Sequence, residues 1–413
     1  MSSKAVILVG GGTRGTRFRP LSLDIPKVLF PVAGRPILSH ALSALATVSS
    51  IKEVLLIGFY DDSVFKDFLT EAAREFPSFN IRYMREYRAL GTAGGLYHFR
   101  DAILKGNPYR LFVIHADICC SFPLKEMLQI FDDKEAKAVI LGTRVDSDTA
   151  ARNFGCIVTD NQKKVIHYVE KPETHISNLI NGGVYLFDRS IFDVIGAART
   201  AKIEDSLNSP VDDDDESREV LRLEQDILVR LAQADGFYVY ETRGFWRQIK
   251  TAGSAVPANA LYLQKLFQTD IDAPGLAKAS ASILPPVYID PTATVDPTAK
   301  LGPNVSIGPH ARVGPGVRIK EAILLADTEV KHDANVRYSI LARGAKVGAW
   351  ARVEGSPITA DEHQTVMIKN GARVQNICIL ARDVYVADEV RIQNCVVLPH
   401  KDIRNDVVNE IIM

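Results

Sequence analysis

The sequence predicts an α/β domain built on a mostly parallel sheet, followed by a parallel β-helix. Three observations carry this expectation. Short β-rich runs alternate with helical patterns through roughly the first 250 residues of the 413-residue chain. From Val287 onward an aliphatic residue recurs at every sixth position. One more helical pattern and a connecting segment separate the two textures. The expected boundaries are 1–254 for the α/β domain, 255–282 for the connecting helix and linker, and 283–413 for the β-helix.

The β-rich runs are Ala5–Val9, Glu53–Gly58, Ile81–Met84, Leu111–His115 and Ala138–Thr143. Helical patterns at Ile37–Ala46, Asp62–Glu75 and Thr92–Leu104 lie between them. Such alternation makes βαβ units. Ligands of these sheets bind beyond the carboxyl ends of the strands, so residues just after strands are the candidates for a site. Ala201–Ser217 is acidic and poor in aromatics, which predicts a solvated loop. Leu221–Gln233 and Ala255–Phe267 read as helices, and 270–282 as a connector. In the last third, Ile289, Val295, Leu301, Ile307, Val313, Ile319 and Leu325 are spaced by six, with Gly and Pro at the turns. This is a hexapeptide repeat, in which the spaced aliphatics point into the coil. The repeat blurs near Val330, returns at Val347 and Val353, and is broken at 354–376, which fits no coil and reads as an inserted loop. Short β runs resume at Ile377–Leu380 and Val384–Leu398.

Composition narrows the function. Hydrophobic residues make up 46% and charged residues 24%, enough for a sizeable core in a soluble chain. The net charge of -1 argues against a dedicated nucleic-acid binder. Five sparse cysteines without zinc-type spacing read as reduced thiols, and the short apolar run before the first glycines is neither a signal nor a membrane span. A cytoplasmic location without membrane attachment is expected.

Gly10, Gly11, Gly12 and Gly15 follow a strand, where backbone N–H groups can approach phosphate oxygens. Arg17 and Arg19 come next, and Lys27 follows in "DIPKVLFPVAGRPIL". Cations beside a glycine turn suit a polyphosphate. A structural tight turn flanked by solvated cations competes with that reading.

An ordered series of motifs extends the pattern: "GTRFRPLS", "PKVLFPVAGRPIL", "LGTAGGL", "HAD", "VEKP" and "NGGVY". It resembles the sugar-phosphate nucleotidylyltransferases, most closely the GDP-mannose pyrophosphorylases (mannose-1-phosphate guanylyltransferases). The resemblance covers almost the entire chain. It implies a Rossmann-like nucleotidyltransferase domain and a left-handed β-helix. The implied reaction is GTP plus mannose 1-phosphate giving GDP-mannose and pyrophosphate by in-line attack, which rests on positioning and charge neutralisation. By the same resemblance, Arg17 and Lys27 neutralise the triphosphate and Asp117 is a catalytic carboxylate that holds Mg²⁺. Gly10, Gly11 and Gly15 cradle phosphate, and Gly91, Thr92 and Ala93 receive the base. Gly155, Glu170, Lys171 and Asn181 surround the sugar and its phosphate. Glu86, on the base side, has the donor-accepting pair of oxygens that would read guanine; a surface salt bridge with Arg85 or Arg88 is the competing role.

Two departures from that family pattern matter. Three residues, Gly12, Thr13 and Arg14, separate Gly11 from Gly15 where the family has one. The family's "FWxDIG" stands here as "FWRQIK", so Gln248 replaces the second metal carboxylate and Lys250 replaces glycine. Mg²⁺ favours charged oxygen ligands, so it would be weakly bound at most, and Gln248 is left to hydrogen-bond a bound product. Smaller departures, "PKV" for "PKP" and "HAD" for "NAD" or "NSD", remove no charge. With the inserted loop, these features resemble the alpha, or regulatory, branch of the family. That branch implies GDP-mannose as ligand, a catalytic beta subunit as partner and self-association through the β-helix, with little or no activity alone. An active guanylyltransferase is the alternative. A hexapeptide acyltransferase is a third, with His310, His332 and His400 as the available bases.

Overall fold

The computed structural model describes residues 2–10, 16–208, 220–357, 366–369 and 372–413. In their described parts, residues 1–14 and 38–246 form one compact unit and residues 15–37 and 247–413 a second.

The first unit is built on a nine-stranded sheet. Its strands are β1 (Ser3–Gly10), β2 (Ile51–Gly58), β3 (Asn80–Arg85), β4 (Arg110–His115), β5 (Ala138–Arg144), β6 (Gly155–Thr159), β7 (Val165–Glu170), β8 (Leu179–Phe187) and β9 (Phe237–Glu241). The spatial order is β7-β6-β8-β4-β1-β2-β3, with β5 pairing β8 and β9. β4-β1-β2-β3 is parallel throughout. It contains four of the five β runs expected from sequence. β8 runs antiparallel to β4 and β5 and marks the change of direction in the sheet. Ala5–Ile7, Val54–Leu56 and Phe112–Ile114 are buried without alternation, as strands covered on both faces require.

Helices α1 (Ile37–Ala46) and α2 (Asp62–Glu75) coincide with their expected spans. α2 begins where the Asp61 carboxylate accepts from the Ser63 N–H at 3.1 Å, and it buries Phe65, Phe68 and Ala72 along one face. Three expectations need correction. The Thr92–Leu104 helix is two short ones, α3 (Gly91–His98) and Arg100–Leu104, broken at Phe99. The acidic stretch is not all loop: the helix Ile191–Asn208 runs through its first part, and 209–219 lie outside the described residues. Leu221–Gln233 starts not as an α-helix but as a π-helical turn, Leu223–Ile227, followed by Leu228–Ala232. Such turns recur at functional sites because they re-aim side chains.

The second unit holds the β-helix. Its strands are parallel and in register on three faces. One aliphatic row runs Val295, Val313, Val330, Val347, Val386, Ile403. Another runs Leu301, Ile319, Val336, Val353, Ile392, Val407. The third runs Ile289, Ile307, Leu324, Leu341, Leu380 and on through Val397. These rows stack into one core. Leu324, not Leu325, occupies the third row. The cause is a change of step: Val295 pairs with Val313 eighteen positions on, but Val313 pairs with Val330 only seventeen on. That lost residue is why the repeat blurs in the sequence. The next interruption is the insertion, across which Val353 pairs with Ile392. It contains an antiparallel hairpin, Val366–Lys369 with Ala372–Gln375, and is closed at its base by the Ser356 N–H donating to the Asn376 carbonyl.

The segment carrying Arg17 and Lys27 belongs to this second unit. Phe18 packs edge-on against Phe30 at 5.3 Å, the Ala33 N–H donates to Asn259 Oδ1 at 2.8 Å, and Asp24 pairs with Arg382 at 2.8 Å. Asn259 lies on the helix Ala255–Thr269 and, fully buried, also donates to the Asn304 carbonyl, tying that helix to the β-helix. Among the described residues no helix is long and apolar enough to cross a membrane.

Candidate functional site

In the first unit the candidate residues gather at the carboxyl ends of β1 to β4. The Phe59 N–H donates to the Gly10 carbonyl at 2.8 Å and the Glu86 N–H to the Gly58 carbonyl at 2.7 Å, so the turns after β1, β2 and β3 are laced together. Asp117 follows β4 and is half-buried. Gly11 and Gly15, and the added residues Gly12 to Arg14, lie outside the described residues.

Glu86 sits against α3. Its Oε1 is buried, and a side chain at Gly95 would run into it. Arg85, one of the two partners considered for a surface pair, instead binds Asp61 at 2.6 Å and stacks over Tyr87 at 5.1 Å. The carboxylate is thereby placed on the "GTAGG" helix rather than on Arg85.

Gly91, Thr92 and Ala93 are held by a segment that sequence reasoning did not connect to them. Gly91 has φ +80°, and a Cβ there would strike the Leu221 carbonyl. The Ala93 and Gly94 N–H groups donate to that carbonyl at 3.0 and 3.2 Å, so two of the four first-turn donors of α3 are already satisfied. The Thr92 hydroxyl donates to Glu224 Oε2 at 3.1 Å and accepts from the Leu223 N–H at 2.7 Å. The other Glu224 oxygen lies 3.0 Å from His115 Nε2. Burial pushes the Glu224 carboxyl up, but His115, with a main-chain N–H and Thr92, holds it below the ordinary range. Glu224 and His115 are therefore the residues the sequence reading missed. Nothing in the local sequence singles out Glu224, which shares its run with Arg222, Gln225 and Asp226.

On the other side lies a tyrosine–amide network. Asn181 donates to the Tyr168 and Tyr185 hydroxyls at 3.0 and 2.9 Å and accepts from the Gly183 N–H at 2.8 Å. The Tyr168 hydroxyl in turn donates to Glu170 Oε2 at 2.9 Å. Burial raises both phenols well above their usual range, so they remain donors. Gly155 fits beneath: a Cβ there would be 2.6 Å from Tyr168 Cζ and 2.7 Å from Glu170 Oε2. Lys171 takes φ +48°, uncommon for a residue with a side chain, and points an exposed ammonium outward, 3.9 Å from Glu170. This is a preorganised carboxylate beside an exposed cation, which can bind hydroxyls and a phosphate. Structure thus brings Gly155, Glu170, Lys171 and Asn181 together.

In the second unit Arg17 is exposed. The Lys27 ammonium donates at 3.3 Å to the Ile249 carbonyl, the peptide oxygen between Gln248 and Lys250. No group of three His, Cys, Asp or Glu side chains comes together as a metal site among the described residues. The residue that the family resemblance makes the second metal carboxylate is Gln248, a neutral amide, which is a poor ligand for a hard dication that favours charged oxygens.

A family model described as "Nucleotidyl transferase" matches residues 4–264. The chain belongs to the nucleotidyl transferase family. A second model, "GMPPB C-terminal domain", matches residues 283–413. The family member described here is 50% identical, over all of both chains, to a Schizosaccharomyces pombe protein named "Probable mannose-1-phosphate guanyltransferase". It is 44% identical to the Dictyostelium discoideum "Mannose-1-phosphate guanylyltransferase regulatory subunit alpha", over 100% of this chain and 99% of that one. It is 45% identical to the human protein of the same name, over 99% and 100%. A solved structure described as a putative glucose-1-phosphate thymidylyltransferase from Bacillus anthracis matches with a TM-score of 0.50 at 24% identity, covering 63% of this chain and 95% of that chain. That likeness supports the fold, a Rossmann-like nucleotidyltransferase domain.

Proposed function

We propose that this chain is a GDP-mannose-binding regulatory subunit of mannose-1-phosphate guanylyltransferase that senses the product and restrains a catalytic beta subunit. The observation that carries the reading is the peptide Gln248–Lys250. A neutral amide stands where the family resemblance puts the second metal carboxylate, and the Lys27 ammonium occupies the carbonyl beside it. The relatives named regulatory subunit alpha point the same way.

In this reading Glu86 accepts two parallel hydrogen bonds from guanine, while Gly91, Thr92 and Ala93 shape the base side. Gly10, Gly11 and Gly15 contribute backbone N–H groups to phosphate, and Arg17 and Lys27 its counter-charge. Gly155, Glu170, Lys171 and Asn181 hold the sugar, and Gln248 hydrogen-bonds a sugar or phosphate oxygen. Mg²⁺, if taken at all, is weakly held at Asp117. Regulation is linkage: GDP-mannose shifts the assembly only by its differential affinity for two states. Self-association through the β-helix and a cytoplasmic location complete the proposal.

The test is pyrophosphate release by the chain alone with GTP, mannose 1-phosphate and Mg²⁺. Turnover at least about 100-fold below an ordinary ~10 s⁻¹ is expected. GDP-mannose at a hundred times its Kd should stabilise the chain by about 2.7 kcal/mol, and should slow a catalytic partner only when this chain is present. Turnover near one per second would instead establish an active guanylyltransferase, the reading favoured by the name of the Schizosaccharomyces pombe relative.

Glu86→Gln tests the base assignment separately. A charge-assisted pair is replaced by an amide that presents a donor where guanine also presents one, so GDP-mannose affinity should fall about tenfold or more. Unchanged affinity by calorimetry would remove Glu86 from the site.

A further inference from the structure

The outward side chains of the β-helix differ sharply between faces. On the face built from Val295, Val313 and Val330, the neighbouring outward row reads Arg312, Glu329, Lys346, and signs alternate, with Arg312 3.6 Å from Glu329. On the next face Lys300 lies directly opposite Arg318, and Lys320 directly opposite Arg337. Like charges facing each other across a ladder are destabilising. Among the described residues none of these four cations forms an ion pair; Arg337 donates only to the Asn335 side chain, at 2.9 Å, and Lys320 stands 6.0 Å over the Tyr338 ring.

The same four cations line a concavity of about 530 Å³. Its wall is residues 280–284, which run alongside the first coil: the Leu301 N–H donates to the Ser282 carbonyl and the Leu284 N–H to the Leu301 carbonyl, both at 2.8 Å. The wall can approach this closely because Gly302, at φ +102°, has no side chain to meet the Leu284 carbonyl. Leu284 itself stays 61% exposed at the rim. A recess of small-molecule size with four cations, none of them in an ion pair among the described residues, and one apolar edge has the chemistry of an anion site.

We propose that this recess binds a phosphorylated small molecule bearing at least two anionic groups. The ligand's charges offset the Lys300–Arg318 and Lys320–Arg337 repulsion, and its uncharged portion rests on Leu284. The site is independent of the guanylyltransferase reading and lies wholly within the β-helix unit.

The test titrates the full chain with inorganic pyrophosphate by calorimetry. Three variants are compared with wild type: Lys300→Gln/Arg318→Gln, Lys320→Gln/Arg337→Gln, and a control, Arg312→Gln/Lys346→Gln, which removes the same charge from the alternating face. Binding elsewhere on the chain is common to all four proteins and drops out of the comparison. Each of the first two variants should weaken one binding event at least tenfold, while the control matches wild type. Equal affinities across all variants would overturn the proposal. So would an acidic decapeptide that binds the four cations more tightly than pyrophosphate, because the occupant would then be a protein segment.

Discussion

Glu224→Ala is expected to destabilise the first unit by about 3 kcal/mol or more, because breaking a buried pair leaves the other member uncompensated. Its midpoint of thermal unfolding should drop by roughly 6–12 °C for a unit of this size. The carboxylate is only 20% exposed, lies 3.0 Å from His115 Nε2 and accepts from the Thr92 hydroxyl, so its removal takes away a charged neighbour and an acceptor at once. The same change releases the Leu221–Glu224 segment from the entrance of α3, so GDP-mannose affinity should fall with stability. Glu224→Gln separates charge from shape. Because the folded carboxyl is held below its ordinary value, its contribution is complete above the unfolded value of about 4.3 and is lost as pH falls through the folded value. The stability gap between wild type and Glu224→Gln, measured by denaturant titration, should therefore persist down to about pH 4.3 and narrow below it. A gap that stays constant below that pH would show that the fold does not hold the Glu224 carboxyl below its ordinary value.

Gly155→Ala should be the most damaging change on the side proposed to hold the sugar. The new methyl would meet Tyr168 and the Glu170 carboxylate at once, and Tyr168 is only 1% exposed. Overpacking of this kind costs about 1–3 kcal/mol. The larger effect is on recognition, since Glu170 is displaced from the geometry that Tyr168 and Asn181 give it; a tenfold or greater loss of GDP-mannose affinity is expected. Tyr168→Phe removes the hydroxyl closest to the methyl. In the Gly155→Ala/Tyr168→Phe double variant the two losses should be less than additive. Full additivity, by calorimetry, would mean that the methyl acts elsewhere.

Most of the first unit was legible because its strands are continuous apolar runs and its helices begin at recognisable signals. α2 is an example, opened by Asp61 and carried by Phe65, Phe68 and Ala72. The β-helix was legible from one period. What the period could not show was the step change between Val313 and Val330, because a solenoid tolerates one residue fewer at a turn while the rows stay aligned. In the site, Gly155, Glu170, Lys171 and Asn181 were found by resemblance and do converge. Glu224 was invisible because its role depends on a contact between residues more than a hundred positions apart, Thr92 and Glu224. The π-helical turn that presents it has no sequence signature of its own.

The pinched base of the insertion, where Ser356 meets Asn376, carries a consequence for how such a chain can change over generations. The rungs on either side, Arg352 and Arg391, stack as though nothing intervened. Closing a longer excursion costs little, about 0.6 kcal/mol for each doubling of its length. Substitutions, additions and losses between those two anchor points are therefore nearly silent in the core, while the rungs themselves tolerate almost none. Natural variation can rewrite what projects from this edge without renegotiating the spine that carries it.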